Sequence, residues 1–262
     1  MKIQQIRNAT MKITYAGHTF LIDPWLLPKG AFGTFRNTPF RPLTEDREDI
    51  PMPLVDLPIP REAVVQGVDA CILTHFHPDH IDINPAGILG DSLPRETPTF
   101  VQSPEDAQTL WDEGFIDLTS LYQNTTFKDV ELIKTSCRHG TKVPCGPACG
   151  VVFRHPAEKT LYLAGDTVWY EPVRQTIERY RPEVIILFAC AASLKFFGRL
   201  IMGERDVLKV HEAAPQAKLV ISHMESVAHA TVSRADMRAF AKAKGFEDSV
   251  VIPADGETVV VD

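Results

Sequence analysis

Thr74-His75-Phe76-His77-Pro78-Asp79-His80 places three histidines and an aspartate within six residues, directly after the apolar stretch Ala70-Cys71-Ile72-Leu73. His75, His77 and Asp79 alternate, so an extended backbone puts them on one face. Pro78 biases His77 away from helical geometry, which keeps the segment extended. Imidazole and carboxylate are the ligand types that borderline divalent metals prefer. A lone histidine here would read as part of a polar turn. Four ligand-type side chains at this spacing read as a metal site.

Three more residues share one placement. His139 follows a strand ending near Ser136, Asp166 follows Leu161-Tyr162-Leu163-Ala164-Gly165, and His223 follows Leu219-Val220-Ile221-Ser222. Each lies just past the C-terminal end of an apolar strand, where ligands gather in α/β folds. Other polar residues admit two readings. Asp23 is either an acceptor for a ligand histidine or a backbone N–H, or a turn-initiating aspartate before Pro24. His229 is a candidate acid or outer hydrogen-bond donor, or a surface histidine near a helix start. His18 and His211 read as structural. Lys195 and Arg199 read as solvated loop residues, with contact to an anionic group as the alternative. Cys145 and Cys149 could form a metal or redox pair. Thiols in a turn rich in Gly and Pro are the preferred reading, because no second cysteine pair completes a structural zinc site.

The elements that must position these residues alternate between strand and helix. Residues 11–15 and 19–23 read as two strands joined at Ala16-Gly17-His18, where Gly17 supplies a permissive backbone. Eight of the 20 prolines lie between Pro24 and Pro60. Proline neither donates to a ladder nor continues a helix, so residues 24–62 are expected as a Pro-rich loop. Trp25, Phe32, Phe35 and Phe40 point to an ordered active-site flap rather than a free linker. Strands are expected at 69–74, 99–102, 130–135, 150–154, 160–164, 183–188, 217–222, 249–252 and 257–261. Helices are expected at 104–111, 171–180, 204–213 and 233–244, with Ser103 as N-cap of the first. The expected class is α/β, in a single domain spanning 1–262.

Composition bounds the rest. The 262 residues are 44% hydrophobic and 23% charged, which excludes wholesale disorder, collagen and coiled coil. The net charge of −7 disfavours general nucleic-acid binding. The start of the chain has no apolar core or cleavage signal, and the longest apolar run, Val184 to Leu194, is too short to span a bilayer. Five cysteines do not suggest a disulfide framework, so a cytoplasmic location and no membrane partner are expected.

The pattern His75-x-His77-x-Asp79-His80, then His139, Gly165-Asp166-Thr167 and His223, resembles the metallo-β-lactamase superfamily of metallohydrolases in order and spacing. The resemblance runs from Leu21-Ile22-Asp23-Pro24 to Asp255-Gly256-Glu257. Asn8-Ala9-Thr10, Gly165-Asp166-Thr167 and His223-Met224-Glu225 look most like the branch that contains L-ascorbate-6-phosphate lactonase and the N-acylphosphatidylethanolamine phospholipase D relatives. The resemblance implies a four-layer αββα sandwich with the metal site at one edge of two packed sheets. It assigns His75, His77 and His139 to one divalent ion, Asp79, His80 and His223 to a second, and Asp166 to both. Ser136-Cys137-Arg138-His139-Gly140 departs from the commoner Gly-His-Thr pattern, and His155 is the nearby substitute. Zinc is the first expectation, with manganese or iron as alternatives.

The expected activity is hydrolysis of a small-molecule ester, lactone or phosphodiester by a hydroxide bridging two metals. No Gly-x-Ser-x-Gly elbow offers a serine nucleophile. Asp79 is expected to orient the water as well as bind metal, with His229 as the candidate acid. Two divalent ions would leave the local site positive, so an anionic small substrate stays admissible despite the acidic chain. The alternatives are a nuclease of the same fold, a non-catalytic metal sensor and, last, an oxygen-reducing di-iron protein. A homo-oligomer is left open.

Overall fold

Period-two alternation decides which side of a sheet each residue faces, and here it sorts the apolar residues into two cores. The computed structural model describes every residue except Asn37, Thr44, Pro85 and Asp262. In chain order the strands are β1 (Lys2–Arg7), β2 (Thr10–Tyr15), β3 (His18–Ile22), β4 (Ala70–Leu73), β5 (Thr99–Val101), β6 (Leu118–Ser120), β7 (Thr125–Phe127), β8 (Val130–Ser136), β9 (Cys149–Arg154), β10 (Leu161–Leu163), β11 (Val184–Phe188), β12 (Ser193–Leu194), β13 (Gly198–Arg199), β14 (Lys218–Ser222), β15 (Val250–Val251) and β16 (Thr258–Val260). The helices are α1 (Arg61–Val65), α2 (Pro104–Asp112), α3 (Glu171–Tyr180), α4 (Glu204–Ala213) and α5 (Arg234–Lys244).

One sheet runs β16-β1-β2-β3-β4-β5-β6, the other β15-β14-β11-β10-β9-β8-β7. Phe20, Ile22, Ile72 and Phe100 face the second sheet and meet Leu132, Val151 and Phe153 there. Phe20 packs edge-on against Phe153 at 5.3 Å and Phe127 at 5.6 Å. Their alternating neighbours Leu21, Cys71, Leu73 and Val101 face outward onto Val64 of α1 and Leu110 of α2. Val173, Ile177, Val207, Val210 and Met237 of α3, α4 and α5 cover the second sheet. The layers are therefore helix, sheet, sheet, helix. Among the described residues no helix is long and apolar enough to cross a membrane.

The expected elements are present with small shifts at their ends. α3 and α4 span the expected residues, and Ser233 caps α5 in a capping box with Asp236. Tyr15 pairs with His18 across a two-residue turn in which Ala16 and Gly17 have φ of 49° and 80°, the geometry that matches sheet twist. β1 has no strand signal, because Gln5 and Arg7 break its apolar pattern. Both are fully buried, and hydrogen bonds compensate: Gln5 Nε2 donates to Asn8 O at 2.9 Å, and Arg7 donates to Trp25 O, Leu27 O and Val55 O.

Those last three carbonyls belong to the Pro-rich segment 24–62, of which Asn37 and Thr44 lie outside the described residues. Asp82 accepts from Leu26 N and Leu27 N at 2.5 and 2.9 Å. Farther along, Leu54 N donates to Ser226 O, Leu43 N to Ser193 O, and Lys195 N to Arg41 O. Scattered backbone bonds of this kind hold an irregular segment that proline keeps out of a ladder. Lys195 lies in the turn between β12 and β13, as expected, whereas Arg199 ends β13 and pairs with the buried Asp206. Cys149 begins β9 instead of lying in a turn, and all five cysteines are free.

Candidate metal centre

β4 ends at Leu73, β8 at Ser136, β10 at Leu163 and β14 at Ser222. Their C-terminal ends share one edge of the sandwich and deliver His75 to His80, His139, Asp166 and His223 to one place. Three groups have ligand atoms within 4.8 Å of one another: His75, His77 and His139; His75, His80 and Asp166; and Asp79, His80 and His223. All seven expected ligands are included. Asp166 faces both sides. Its Oδ2 lies 3.6 Å from His139 Nε2 and 3.8 Å from His75 Nε2, and its Oδ1 lies 3.4 Å from His80 Nε2. Asp79 Oδ2 is 3.3 Å from His223 Nε2.

The outer hydrogen bonds orient each ring. His80 Nδ1 donates to Asp23 Oδ2 at 2.9 Å and His139 Nδ1 to Leu200 O at 3.2 Å, while His223 Nδ1 lies 3.6 Å from Cys190 Sγ. Thr74 Oγ1 donates to Asp23 Oδ2 at 2.7 Å and therefore accepts from His75 Nδ1 at 3.1 Å. These partners hold Nδ1 outward in all four rings and turn Nε2 inward. His77 is reversed, with Nδ1 lying 3.1 Å from His139 Nε2. His223 Nε2 and His80 Nε2 are 3.2 Å apart. Ring nitrogens this close need a proton or a metal ion between them. His75 Nε2 is also buried with no hydrogen-bond partner, a costly state for a polar atom. The donor set fits divalent metal.

Electrostatics agree. Burial pushes His75 well below the usual imidazole range and His139 down to about 4. Burial alone would raise Asp166 and Asp79, but the surrounding imidazoles hold both carboxyls well below the usual range. Burial alone would lower His80, but Asp166 and Asp23 raise it to about 10. A metal ion arriving there must displace a proton.

Asp23 thus faces His80 and the Thr74 backbone N–H rather than merely starting a turn. His139, not His155, joins the cluster, since His155 pairs with Asp129 at 3.2 Å. His18 pairs with the same aspartate, and His211 stacks on Phe246. His229 belongs to none of the three donor groups. It is buried near the ligands, its Nδ1 has no partner, and Phe35 packs edge-on against its ring at 5.3 Å. A cavity of about 160 Å³ opens beside the donors, lined by Phe32, Phe35, Phe40, Met52 and His229 together with His77, Asp79 and Cys145. No Lys or Arg is among its lining residues. Sequence reasoning did not find Asn8, Cys190 or the Leu200 carbonyl as outer partners. Asn8 stood in a motif with no chemistry attached, and the other two carry no local signal.

No protein-family model matches the chain. YddR of Bacillus subtilis, a UPF0173 protein, is 42% identical over 262 residues, 98% of this chain and 99% of its own. A UPF0173 metal-dependent hydrolase of Koribacter versatilis is 25% identical, covering 71% of each chain. An isothiocyanate hydrolase from Delia radicum gut bacteria is 38% identical with a TM-score of 0.89, over 100% of this chain and 99% of that one. YhfI of Bacillus subtilis, a metallo-β-lactamase fold protein, matches with a TM-score of 0.64 at 15% identity over 99% of both chains, a likeness of fold alone. Fold and donor set together define a metal-dependent hydrolase of the metallo-β-lactamase fold. The chain belongs to the UPF0173 family.

Proposed function

We propose that the protein uses two divalent ions to hydrolyse a small, uncharged electrophile with an apolar body, of which an isothiocyanate is the leading case. The observation that carries this reading is the cavity beside the donors, walled by Phe32, Phe35, Phe40 and Met52 and without Lys or Arg. An anionic substrate, such as a phosphorylated lactone or a nucleic acid, would find no cation on that wall. The similarity to an isothiocyanate hydrolase supports the same class. An apolar ester or lactone is the second reading, because the cavity recognises the substituent rather than the bond.

His75, His77 and His139 would hold one ion, and Asp79, His80 and His223 the other, with one oxygen of Asp166 toward each. When bound, the ions would bring the pKa of a shared water toward ~7 and polarise the substrate's electrophilic group. Everything else falls to the chain. Asp79 lines the cavity and can orient the water. Burial pushes His229 down to about 4, so its neutral ring can hydrogen-bond the heteroatom that gains charge. Phe35 fixes that ring, and the 24–62 segment that carries it acts as a flap excluding bulk water. Burial pushes the Cys145 thiol up to about 11, so it stays protonated and is no nucleophile at neutral pH. For an isothiocyanate, water adds across the C=N bond to give a thiocarbamic acid, which releases the amine and carbonyl sulfide.

The test is elemental analysis of protein purified without added metal, then turnover of that sample on aryl and alkyl isothiocyanates, apolar esters, lactones, phosphodiesters and RNA. The expected result is bound divalent metal and hydrolysis of isothiocyanates or apolar esters, abolished in Asp79→Ala and His77→Ala. Full activity after metal stripping would overturn the mechanism. Preference for phosphodiesters or RNA would overturn the substrate class, and loaded protein inert on the whole panel would favour a sensor.

A further inference from the structure

Asn8 sits in the turn between β1 and β2, fully buried, with φ of 53°. Glycine would meet that backbone demand without strain. The side chain instead reaches the metal centre. Its Nδ2 lies 3.0 Å from Asp79 O, 3.5 Å from Asp79 Oδ2 and 3.3 Å from His223 Nε2. Its Oδ1 is buried and has no partner. The Asn8 carbonyl is also heavily used, accepting from Gln5 Nε2 at 2.9 Å, Ser222 Oγ at 2.9 Å and His223 N at 3.0 Å. One residue of the first sheet therefore grips His223, which follows a strand of the second sheet, through its main chain, and Asp79 through its amide.

We infer that Asn8 is a positioning residue for the second metal subsite, holding Asp79 and His223 at the separation that one ion requires. The inference rests on the two-ion reading above. Asp79 Oδ2 lies 3.5 Å from the Asn8 amide and 3.3 Å from His223 Nε2. Without the amide, the carboxylate keeps its charge but loses the donor that restrains its rotation. The other subsite is oriented independently, through Thr74 behind His75 and the Leu200 carbonyl behind His139. The effect of losing the amide should therefore fall on one ion of two.

Asn8→Gly is the informative variant, since glycine keeps the left-handed turn and removes only the amide. Metal-stripped parent and variant are titrated with zinc by calorimetry, and their metal-free melting temperatures are compared. The expected result is two zinc ions per parent chain. The variant should keep the first affinity, bind the second ion ten- to a hundredfold more weakly, and melt within about 2 °C of the parent when metal-free. Undiminished binding of both ions overturns the inference alone. Equal weakening of both ions with a lower metal-free melting temperature also overturns it, and makes Asn8 a turn residue only. A parent that saturates at one zinc overturns the two-ion reading and the inference with it.

Discussion

Each candidate ligand works through a specific atom, so substitutions separate charge from shape. Asp166 is the residue whose two oxygens face different donor groups, Oδ1 toward His80 and Oδ2 toward His139. Asp166→Asn keeps its size but replaces one anionic oxygen with a donor. Hydrolysis is expected to fall by about a hundredfold or more, with less bound metal by elemental analysis. His229 behaves differently because it stands outside the donor groups. His229→Gln is expected to keep its metal and lose about 10²- to 10³-fold in kcat, the usual cost of one aimed donor, read by steady-state kinetics on metal-quantified protein. Its pH signature has a definite sign. The folded value of about 4 lies below the ordinary imidazole value of 6.5. The unfolded chain therefore binds the proton first as pH falls, and the stability present above pH 6.5 is lost progressively down to about 4. Metal-free His229→Gln should show a shallower decline in melting temperature across that window, and parallel curves would contradict the assignment.

The elements place these atoms by alternation and by where they stop. Phe20, Ile22 and Ile72 face one core because Leu21 and Cys71 face the other. Phe153, fully buried between Tyr15 and Phe20, is where the two sheets meet. Phe153→Ala is expected to cost about 3–5 kcal/mol in denaturant unfolding, through lost burial and the cavity left behind. The Pro-rich segment plays a different part. Phe35 touches His229 and lines the cavity, so Phe35→Ala should raise KM for apolar substrates several-fold while metal content stays constant. An unchanged KM would remove the segment from substrate recognition. That segment was legible as an ordered loop from its prolines and aromatics. Its contacts with Ser193, Ser226 and Asp82 were not, because hydrogen bonds across 56 to 172 residues have no local sequence pattern.

Across the whole molecule, the metal centre ties the two sheets together. Ligands from β4 on one side and from β8, β10 and β14 on the other meet at a single edge. Ion binding therefore stabilises the native state alone. One ion at a free concentration a hundred times its Kd adds about 2.7 kcal/mol. For a chain of this length that is a rise of roughly 5–10 °C in melting temperature. Calorimetry with and without chelator should show it, and an unchanged melting temperature would mean no ion bridges the sheets. The net charge of −7 is spread over the whole chain, while the cavity beside the centre is walled by apolar and aromatic side chains. Global charge therefore says little about what enters.

The sequence by itself located most strands and helices and set the seven candidate ligands just past apolar strands, while the resemblance supplied the sandwich and the edge at which they meet. Element positions and ligand placement follow from local rules: alternation, capping and the position of polar residues after apolar strands. The sequence preferred His139 over His155, which falls in a hairpin, and the tertiary structure brings His139 and not His155 to the donors, because β8 and β9 direct them to different ends. Asn8, Cys190 and the Leu200 carbonyl became visible in the same way. Each orients a ligand from far along the chain. A hydrogen bond is short-ranged in space but indifferent to sequence separation, so nothing at Asn8 announces Asp79. The apolar wall beside the centre was also decided at this level. Phe32, Phe35, Phe40 and Met52 come from a segment without a period, and only its packing sets them beside His77 and Asp79.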